Sequence, residues 1–465
     1  MKLLLTTLPT NDLGLMTRSL PIARELAARG HEIAFSNPAR APSMLIAEAH
    51  FANIPPKHPL HDLVAIDRTI GGLFRMLRTR PWRRHEMGPL AYLRCVASAI
   101  PTRFPPTSAD IWDADHAGAM MGMLNEGFVR ANVDAYGSVI KTFDPDVVVD
   151  FWNPFAAIAA RRLGKKLATV IQADAHPSSH GFLWWRPKPQ ATPSPIAIVN
   201  RVIEDYGMLP LDKLADLNVG DVTLCVGTPE LDPISDSTGV EYIGAVLWEA
   251  DGASLPDWIE ALPIDRPVIW VYSGNPRYGS ADTTLDSIVV LEACLGALVG
   301  VDASIVLTTG HHEFPKELSP LPANFHHAKY VPGLRMARKA DLLIHHGGYG
   351  SCQTGLWAGK PSVIIPTFSE RLSNAKRLER VGAAILVEPT IDRGRKKIAP
   401  DELRRAVATA LADPRYRENA RSTRESLASL GGAKRAADRI EALGRQKELT
   451  VVDRGCADGA SRNRD

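Results

Sequence analysis

The feature that most constrains this fold is a repeated alternation of short, continuously apolar segments with segments of helical spacing. Residues 2–8 are apolar, 18–29 carry apolar side chains at helical intervals, and 32–35 are apolar again. The same order returns over residues 146–171, with the strand DVVVDF, a helix opened by Pro154 and a second strand. Strands that are apolar throughout are typical of a parallel sheet covered by helices on both faces. The pattern therefore predicts an α/β protein.

A second series of such units begins near Pro267, with the apolar strands VIWVYS, ASIVLTT, ADLLIHH and PSVIIP. Between the two series, clustered Pro, Asp and Ser without periodicity predict a linker. We expect two doubly wound, Rossmann-like domains that face a central cleft, because such sheets bind ligands at the carboxyl ends of their strands. The predicted division is an N-terminal domain at 1–227 with a helical insertion at about 65–134, a linker at 228–266, a C-terminal domain at 267–445 and a disordered tail at 446–465.

Charge and composition exclude several classes of partner and site. Lys and Arg number 54 against 52 Asp and Glu, so the net charge of +2 predicts neither nucleic acid nor an anionic membrane as a partner. The chain has no run of about 18 apolar residues and its start lacks a signal-peptide pattern, so we expect no membrane span and a cytoplasmic location. Scattered cysteines without C-x-x-C spacing, and histidine pairs at 311–312 and 326–327 without carboxylates at ligand spacing, predict no metal site.

The segment 340–366, ADLLIHHGGYGSCQTGLWAGKPSVIIP, carries the strongest chemical signal. An apolar strand leads into a glycine-rich loop, and a helix begins at about Ser351. The loop reads His345, His346, Gly347, Gly348, Tyr349, Gly350 and Ser351. Backbone amides at a helix start, with no side chains in the way, form an anion site that suits a diphosphate. A Walker A loop is excluded, because Pro361 stands where that motif needs Ser or Thr and Thr354 stands where it needs its first Gly. A plain tight turn between strand and helix stays open as the alternative.

The wider arrangement resembles the family 1 glycosyltransferases of the GT-B fold, especially the bacterial enzymes that glycosylate natural products. In that family a strand ending His-Gly-Gly-x-Gly-Thr/Ser precedes a helix, Gly-x-Pro, an apolar strand, Pro and an acidic residue near Asn-Ala. The matching positions are His346 to Ser351, Gly359-Lys360-Pro361, SVII, Pro366, Glu370 and Asn374-Ala375. The start of the chain and DVVVDFWNPFAAIAARRLG match the family's acceptor domain. The resemblance implies an acceptor-binding N-terminal domain, a C-terminal domain that binds a nucleoside diphosphate sugar as co-substrate without further cofactor or metal, and inversion of the anomeric centre.

The same resemblance assigns the donor contacts residue by residue. The implied diphosphate contacts are His346, Gly348, Gly350 and Ser351, with Ser273 and Asn275 after the strand VIWVY as further contacts to phosphate or acceptor. Glu370 is implied to accept hydrogen bonds from sugar hydroxyls. Arg371 replaces the family's usual Gln, so it either pairs with a carboxylate or lies on the surface. Val331 lies in the stretch that meets the nucleotide base.

The identity of the nucleotide depends on Thr354. Many members that use UDP-sugars carry a Glu at this position that holds both ribose hydroxyls, and Thr cannot do so. The loss costs least when the sugar of the nucleoside is deoxyribose, so we expect a weak preference for a dTDP-deoxysugar over a UDP-sugar. The alternative, that Thr354 is an ordinary helix residue beside a UDP site, stays open.

The N-terminal half departs from the family at the general base. The family presents a His in Gly-His-x-x-Pro, and the aligned position here is Leu15. Base assistance is worth on the order of 10² to 10⁴ in rate, so another group is expected to replace it. Asp150, at the position of the family's base-orienting Asp, is the first candidate and Asp12 is the second. Each has a structural alternative, since Asp150 can cap a helix and Asp12 a turn.

The expected function is an inverting glycosyltransferase of the hexosyltransferase type that acts on a small, apolar natural-product acceptor. A catalytically degenerate nucleotide-sugar-binding or activator protein is one alternative, because Leu15 replaces the base, and a sugar-nucleotide epimerase is another. The sugar, the acceptor, the atom attacked and the presence of a homodimer stay undecided. Either an acceptor pocket or core packing accounts for the aromatic and sulfur side chains Met120, Met121, Met123, Phe182, Trp184 and Trp185.

Overall fold

The computed structural model consists of two parallel β-sheets, each packed between helices, and a small hairpin. It describes residues 1–10, 13–57, 78, 80–84, 88–90, 92–93, 110–250, 252–274, 276, 287–310 and 312–446. The strands are β1 (Lys2–Thr7), β2 (Glu32–Ser36), β3 (Ala52–Asn53), β4 (Val147–Phe151), β5 (Lys166–Ile171), β6 (Val222–Val226), β7 (Val240–Gly244), β8 (Val268–Tyr272), β9 (Ser304–Thr308), β10 (Phe325–Ala328), β11 (Leu342–His345), β12 (Ser362–Ile364), β13 (Ala384–Leu386), β14 (Thr390–Asp392) and β15 (Arg395–Lys397).

Helices connect most of these strands, as parallel pairing requires. They are α1 (Gly14–Ala28), α2 (Arg40–Glu48), α3 (Pro81–Arg84), α4 (Ala114–Gly118), α5 (Glu126–Phe143), α6 (Pro154–Arg162), α7 (Ile196–Glu204), α8 (Asp257–Glu260), α9 (Ile288–Leu298), α10 (Gly333–Lys339), α11 (Tyr349–Ala358), α12 (Ser369–Arg380), α13 (Pro400–Ala412), α14 (Pro414–Ser429) and α15 (Gly432–Arg445). A π-helical turn, Ala119–Met123, follows α4. Among the described residues, no helix is long and apolar enough to cross a bilayer.

The N-terminal sheet has the strand order β3-β2-β1-β4-β5-β6-β7 and is parallel in every pairing. Apolar side chains of α5 and α6 cover one face, and those of α1 and α15 cover the other. The strand order reverses between β1 and β4, where Thr6 pairs with Asp150. A reversal of this kind opens a crevice at the carboxyl ends of the strands, so Asp150 lies at the edge where ligands bind.

The C-terminal sheet repeats this design with the order β10-β9-β8-β11-β12-β13. Its strands are parallel, with apolar clusters on both faces. The reversal lies between β8 and β11, where Tyr272 pairs with His345. The glycine-rich loop that follows β11 therefore leaves the sheet at its own ligand-binding edge. Two doubly wound parallel sheets confirm the predicted fold class.

Two elements lie differently from the predicted division of the chain. β7 falls inside the predicted linker at 228–266, yet it forms the last strand of the N-terminal sheet beside β6. Its sequence VEYIG has only a short apolar stretch, which explains why periodicity did not reveal it. α15 belongs to the predicted C-terminal domain by sequence, but Ala436, Ile440 and Leu443 pack in the core of the N-terminal sheet. The chain thus returns to its first domain.

Parts of the predicted division lie outside the described residues. These parts are most of 65–109 in the predicted insertion and 447–465 in the predicted tail. The last part of the insertion is described and contains α4 and the start of α5. Asp113 caps α4 and Asn125 caps α5 by accepting backbone N–H groups three residues ahead.

Candidate active site

The glycine-rich loop turns sharply between β11 and α11. Gly347 has φ of 88°, a left-handed conformation that favours glycine, and a Cβ there would lie 2.7 Å from the carbonyl oxygen of Arg371. The side-chain amide of Asn374 donates to the carbonyl of Gly347 at 2.9 Å. Backbone geometry and α12 together fix the path of the chain. Gly347 was predicted only as part of the motif, and the structure supplies the physical reason for it.

The two histidines of the loop are buried and held neutral. His345 accepts a hydrogen bond at Nδ1 from the backbone N–H of Gly347 at 3.1 Å, and burial lowers its pKa to about 3. His346 is 7% exposed and packs against Tyr272 with 5.5 Å between ring centroids. Burial lowers the pKa of His346 well below its usual value, and the nearby Arg371 adds to this effect. Nδ1 of His346 lies 3.4 Å from the carbonyl oxygen of Tyr272, which can only accept, so the neutral ring donates there and leaves Nε2 as an acceptor.

The start of α11 offers backbone amides that no side chain caps. Gly348 is its N-cap, without a side-chain hydrogen bond, and the first backbone bond of the helix runs from the N–H of Cys352 to the carbonyl of Gly348. The amides of the first turn therefore have no acceptor within the helix. A Cβ at Gly350 would meet nothing within 4 Å, so the space in front of this turn is open. The arrangement suits an anion with several oxygens.

Glu370 lies on α12, next to the same loop. Its Oε1 accepts a hydrogen bond from the side chain of Asn374 at 2.8 Å, and Asn374 also bonds Gly347. Asn374 therefore joins the predicted sugar-binding carboxylate to the predicted diphosphate loop. Arg371 is half-buried, donates to the hydroxyls of Ser287 and Thr367, and stacks on Phe368 at 4.5 Å.

Three of the four remaining predicted donor residues are described by the structure. The Ser273 hydroxyl is buried and faces the backbone carbonyls of Gly274 and Thr308, at 3.2 and 3.5 Å. Val331 is buried in the apolar cluster that contains Trp270. The hydroxyl of Thr354 donates to the carbonyl of Gly350 at 2.8 Å, inside the first turns of α11. Asn275 lies outside the described residues. The roles of these four residues stay predictions.

Asp150 lies beneath the surface of the N-terminal crevice. It is 1% exposed, with Oδ1 accepting from the hydroxyl of Thr6 at 2.5 Å and Oδ2 accepting from the backbone N–H of Asn153 at 3.0 Å. Burial raises its pKa to about 7, against the opposing effect of these two hydrogen bonds. Asn153, not Asp150, caps α6 through the N–H of Ala156. The role of Asp150 as the base stays a prediction. Its pKa of about 7 suits a base near neutral pH.

The second candidate for the base is Asp12, and Leu15 is the position aligned with the family's His. Asp12 lies outside the described residues. Leu15 lies in the first turn of α1, where its half-buried side chain packs on the apolar core of the N-terminal sheet. Close to Asp150, Trp152 has φ of 58°, a strained conformation for a side chain of this size. It lines a small cavity together with Leu8 and Met121.

The aromatic and sulfur side chains of the N-terminal domain divide between core and surface. Met123 is buried in the core with Phe128, while Met121 lines the small cavity. Trp184 is 39% exposed and packs edge-on against Trp185. Within the described part of the chain, no group of three or more His, Cys, Asp or Glu side chains could hold a metal ion. His326 and His327 instead contact Trp258 and Phe314.

Sequence reasoning missed a buried interdomain cluster, formed by Asp174, Asp232, Tyr349 and Arg377. Arg377, on α12, is 5% exposed, and it donates to Asp232 at 2.8 Å and to Asp174. Burial raises the pKa of Asp174 to about 7 and also raises that of Asp232, while Arg377 opposes both shifts. Asp174 follows β5 much as Asp150 ends β4. That position at a strand end is the signal that could have revealed Asp174.

Parts of the chain are similar in sequence to known proteins. Residues 292–443 match the family model of the erythromycin biosynthesis protein CIII-like C-terminal domain. The chain is 27% identical over 231 residues to an uncharacterized UDP-glucosyltransferase, YojK, of Bacillus subtilis, covering 49% of this chain and 53% of that protein. It is 30% identical over 188 residues to 4'-demethylrebeccamycin synthase of Lentzea aerocolonigenes, covering 40% and 41% of the two chains. The chain thus matches about half the length of these curated relatives.

The fold as a whole matches solved structures. The crystal structure of the glycosyltransferase VinC in complex with dTDP superposes with a TM-score of 0.64 over 96% of this chain and 99% of that one, at 18% identity. The names of the relatives agree with the enzyme class that the sequence resemblance implied. The chain therefore has the GT-B fold of these glycosyltransferase structures, and its residues 292–443 are similar to the erythromycin biosynthesis protein CIII-like C-terminal domain.

Proposed function

We propose that the chain is an inverting glycosyltransferase that moves a sugar from a nucleoside diphosphate sugar to a small, apolar natural-product acceptor. The observation that carries the proposal is the uncapped start of α11, which lies open at the reversal point of the C-terminal sheet, beside Glu370. The names of the relatives support it. No metal or further cofactor is needed in this proposal.

The amides at Gly348 to Ser351 stabilise the leaving group. In the reaction, a nucleophilic atom of the acceptor bonds to the anomeric carbon as the bond from that carbon to the diphosphate oxygen breaks. The electron pair of the broken bond leaves with the diphosphate, so negative charge grows where the amides and the positive end of the α11 dipole point. Donors that are already oriented stabilise this charge without reorganisation. Glu370 accepts hydrogen bonds from the sugar and sets its orientation.

We propose Asp150 as the group that receives the proton of the acceptor. Its position at the reversal point of the N-terminal sheet and its pKa of about 7 support this role. Because both of its oxygens are bonded and the side chain is buried, it must exchange the hydroxyl of Thr6 for the acceptor or act through that hydroxyl.

Asp150→Asn is expected to lower kcat about 10²-fold or more, with the Kd for dTDP unchanged, because an amide cannot take up the proton. Steady-state kinetics and calorimetric titration with dTDP give the two numbers. A variant with wild-type kcat would remove Asp150 from the mechanism. A variant that also loses dTDP binding would show that Asp150 maintains the structure of the cleft.

The nucleotide is proposed to be dTDP. Thr354 offers no carboxylate to ribose hydroxyls, and its own hydroxyl is bonded within α11. VinC is described in complex with dTDP, whereas YojK is named a UDP-glucosyltransferase, so the relatives support both nucleotides.

A thermal-shift panel of dTDP, UDP, GDP and ADP tests the donor. A ligand present at 100 times its Kd stabilises the native state by about 2.7 kcal/mol, so the tightest binder raises Tm most. We expect the largest shift with dTDP, and Thr354→Glu is expected to move the preference toward UDP by supplying an acceptor for the ribose hydroxyls. A larger shift with UDP in the wild type would contradict the argument from Thr354.

Turnover distinguishes transfer from the other functions. Release of free nucleoside diphosphate that depends on an added acceptor supports the transferase. Isomerisation of the donor without acceptor would identify an epimerase, and donor binding without turnover across an acceptor panel would identify a non-catalytic binding protein.

A further inference from the structure

Tyr349 belongs to the diphosphate loop by sequence, yet its side chain lies in the N-terminal domain. It is the first residue of α11, 4% exposed, and packs in the apolar core of the N-terminal sheet together with Phe151 and Val226. The guanidinium of Arg18, on α1, lies 5.2 Å from the centroid of its ring. The helix that presents the proposed diphosphate site is therefore anchored in the opposite domain by its first side chain.

The hydroxyl of Tyr349 contacts the last residue of β6 and the segment that follows it. It lies 2.6 Å from the carbonyl oxygen of Val226 and 2.8 Å from Oδ2 of Asp232. Asp232 is fully buried, and a Cβ at Gly227 would lie 2.0 Å from its Oδ2 and 2.8 Å from the hydroxyl of Tyr349, so position 227 requires glycine. The Tyr349 hydroxyl thus packs too close to this segment to leave room for a methyl group.

The same carboxylate binds the second donor helix. Arg377 on α12 donates to Oδ1 of Asp232 at 2.8 Å and pairs with Asp174. On the same helix, Ser373 donates to Oδ2 of Asp174 at 3.1 Å. Both α11, which carries the diphosphate amides, and α12, which carries Glu370, are thus joined to carboxylates of the N-terminal domain.

We propose that Tyr349 and Arg377 are positioning residues that hold the two domains closed, so that the diphosphate and the sugar stand at a fixed distance from the acceptor. The inference rests on the proposed glycosyltransferase function. Closure by this cluster excludes water from the reacting carbon. Water that reaches this carbon would hydrolyse the donor. Misplacement of reacting groups by about 1 Å costs about 10²-fold in rate, so the cluster affects kcat although it touches no substrate.

Tyr349→Phe tests this proposal because it keeps the ring and removes only the hydroxyl. We expect kcat for transfer to fall about 10- to 100-fold, the Kd for dTDP to stay within about threefold because the amides of α11 remain, and the ratio of donor hydrolysis to transfer to rise. Solution scattering without ligand is expected to show a larger radius of gyration, because the closed arrangement loses its hydrogen bonds.

The matched control is Tyr242→Phe. The hydroxyl of Tyr242 donates to the backbone carbonyl of the same Asp232 at 2.6 Å, but both residues belong to the N-terminal side of the chain. This variant is expected to keep the wild-type radius of gyration, kcat and hydrolysis ratio. A Tyr349→Phe protein with these wild-type values, or a Tyr242→Phe protein with the same defects, would overturn the proposal.

The scattering measurement separates this inference from the proposed function. If the wild type neither binds dTDP nor consumes a donor, the proposed function fails, and an enlarged Tyr349→Phe protein still supports the interdomain role of Tyr349. If the wild type transfers sugar and Tyr349→Phe is unchanged in size and hydrolysis ratio, only the positioning role fails.

Discussion

Replacing Gly350 with valine is expected to raise the Kd for dTDP at least 100-fold without unfolding the chain. A Cβ at this position meets nothing within 4 Å and the backbone is helical, so the side chain fits the protein. It occupies the space that the diphosphate oxygens are proposed to take. Hydrogen bonds to charged groups contribute about 1.5 to 3 kcal/mol each, so the loss of two corresponds to 10²-fold or more. Calorimetric titration with dTDP measures the effect.

Gly137→Val is the matched control for this experiment. Gly137 also lies within a helix, α5, and a Cβ there also meets nothing within 4 Å. It belongs to the N-terminal domain, so its replacement is expected to leave the Kd for dTDP at the wild-type value. Equal affinity of the Gly350 and Gly137 variants would mean that the nucleotide does not bind at the start of α11.

Arg377→Met is expected to destabilise the protein by about 3 to 5 kcal/mol at pH 8, because it leaves Asp174 and Asp232 buried without their shared cation. The loss should shrink toward pH 5. Burial raises the folded-state pKa of both carboxyls, that of Asp174 to about 7, so the folded protein retains protons that the unfolded chain releases above about pH 4. Stability from such groups is complete at low pH and is lost as the pH rises through the folded-state pKa. Denaturant titrations at several pH values measure the effect.

Arg130→Met provides the comparison for Arg377. Arg130 also joins two carboxylates, Glu126 and Asp205, but the side chains are substantially exposed to solvent. Solvent screens such pairs, so we expect a small change in stability with little dependence on pH. A loss of similar size in both variants would contradict the argument that burial makes the Arg377 cluster important.

The conformation of the glycine-rich loop agrees with the sequence prediction, while its role as a diphosphate site stays a prediction. The positive φ of Gly347 and the open space at Gly350 fit a tight turn from a buried strand into a helix. Alternation of apolar strands and helices likewise predicted both sheets, since a parallel strand buried on both faces leaves a clear pattern. The loop conformation and the order of strands and helices depend on residues that are close together in the sequence.

Contacts between distant segments could not be predicted in this way. Arg377 meets Asp174 and Asp232 across 203 and 145 residues of sequence, and no spacing rule connects them. The Tyr of the motif gave no sign that its side chain crosses into the other domain. The sequence predicts β7 as linker and α15 as part of the C-terminal domain, because their true place depends on packing against the N-terminal sheet.

Asp150 illustrates a middle case. The sequence predicted its place at the end of β4, and the pairing of Thr6 with Asp150 agrees with that place. Its burial and its bond to the hydroxyl of Thr6 follow from tertiary packing. Burial raises its pKa to about 7 against the opposing effect of that hydrogen bond, and the sequence alone reveals neither contribution.

A crystal structure of the chain with bound dTDP would show directly where the nucleotide lies. We expect the two phosphoryl groups within hydrogen-bond distance of the backbone amides between Gly348 and Ser351, with the base near Val331. A nucleotide bound at any other place, with these amides facing solvent, would contradict this expectation.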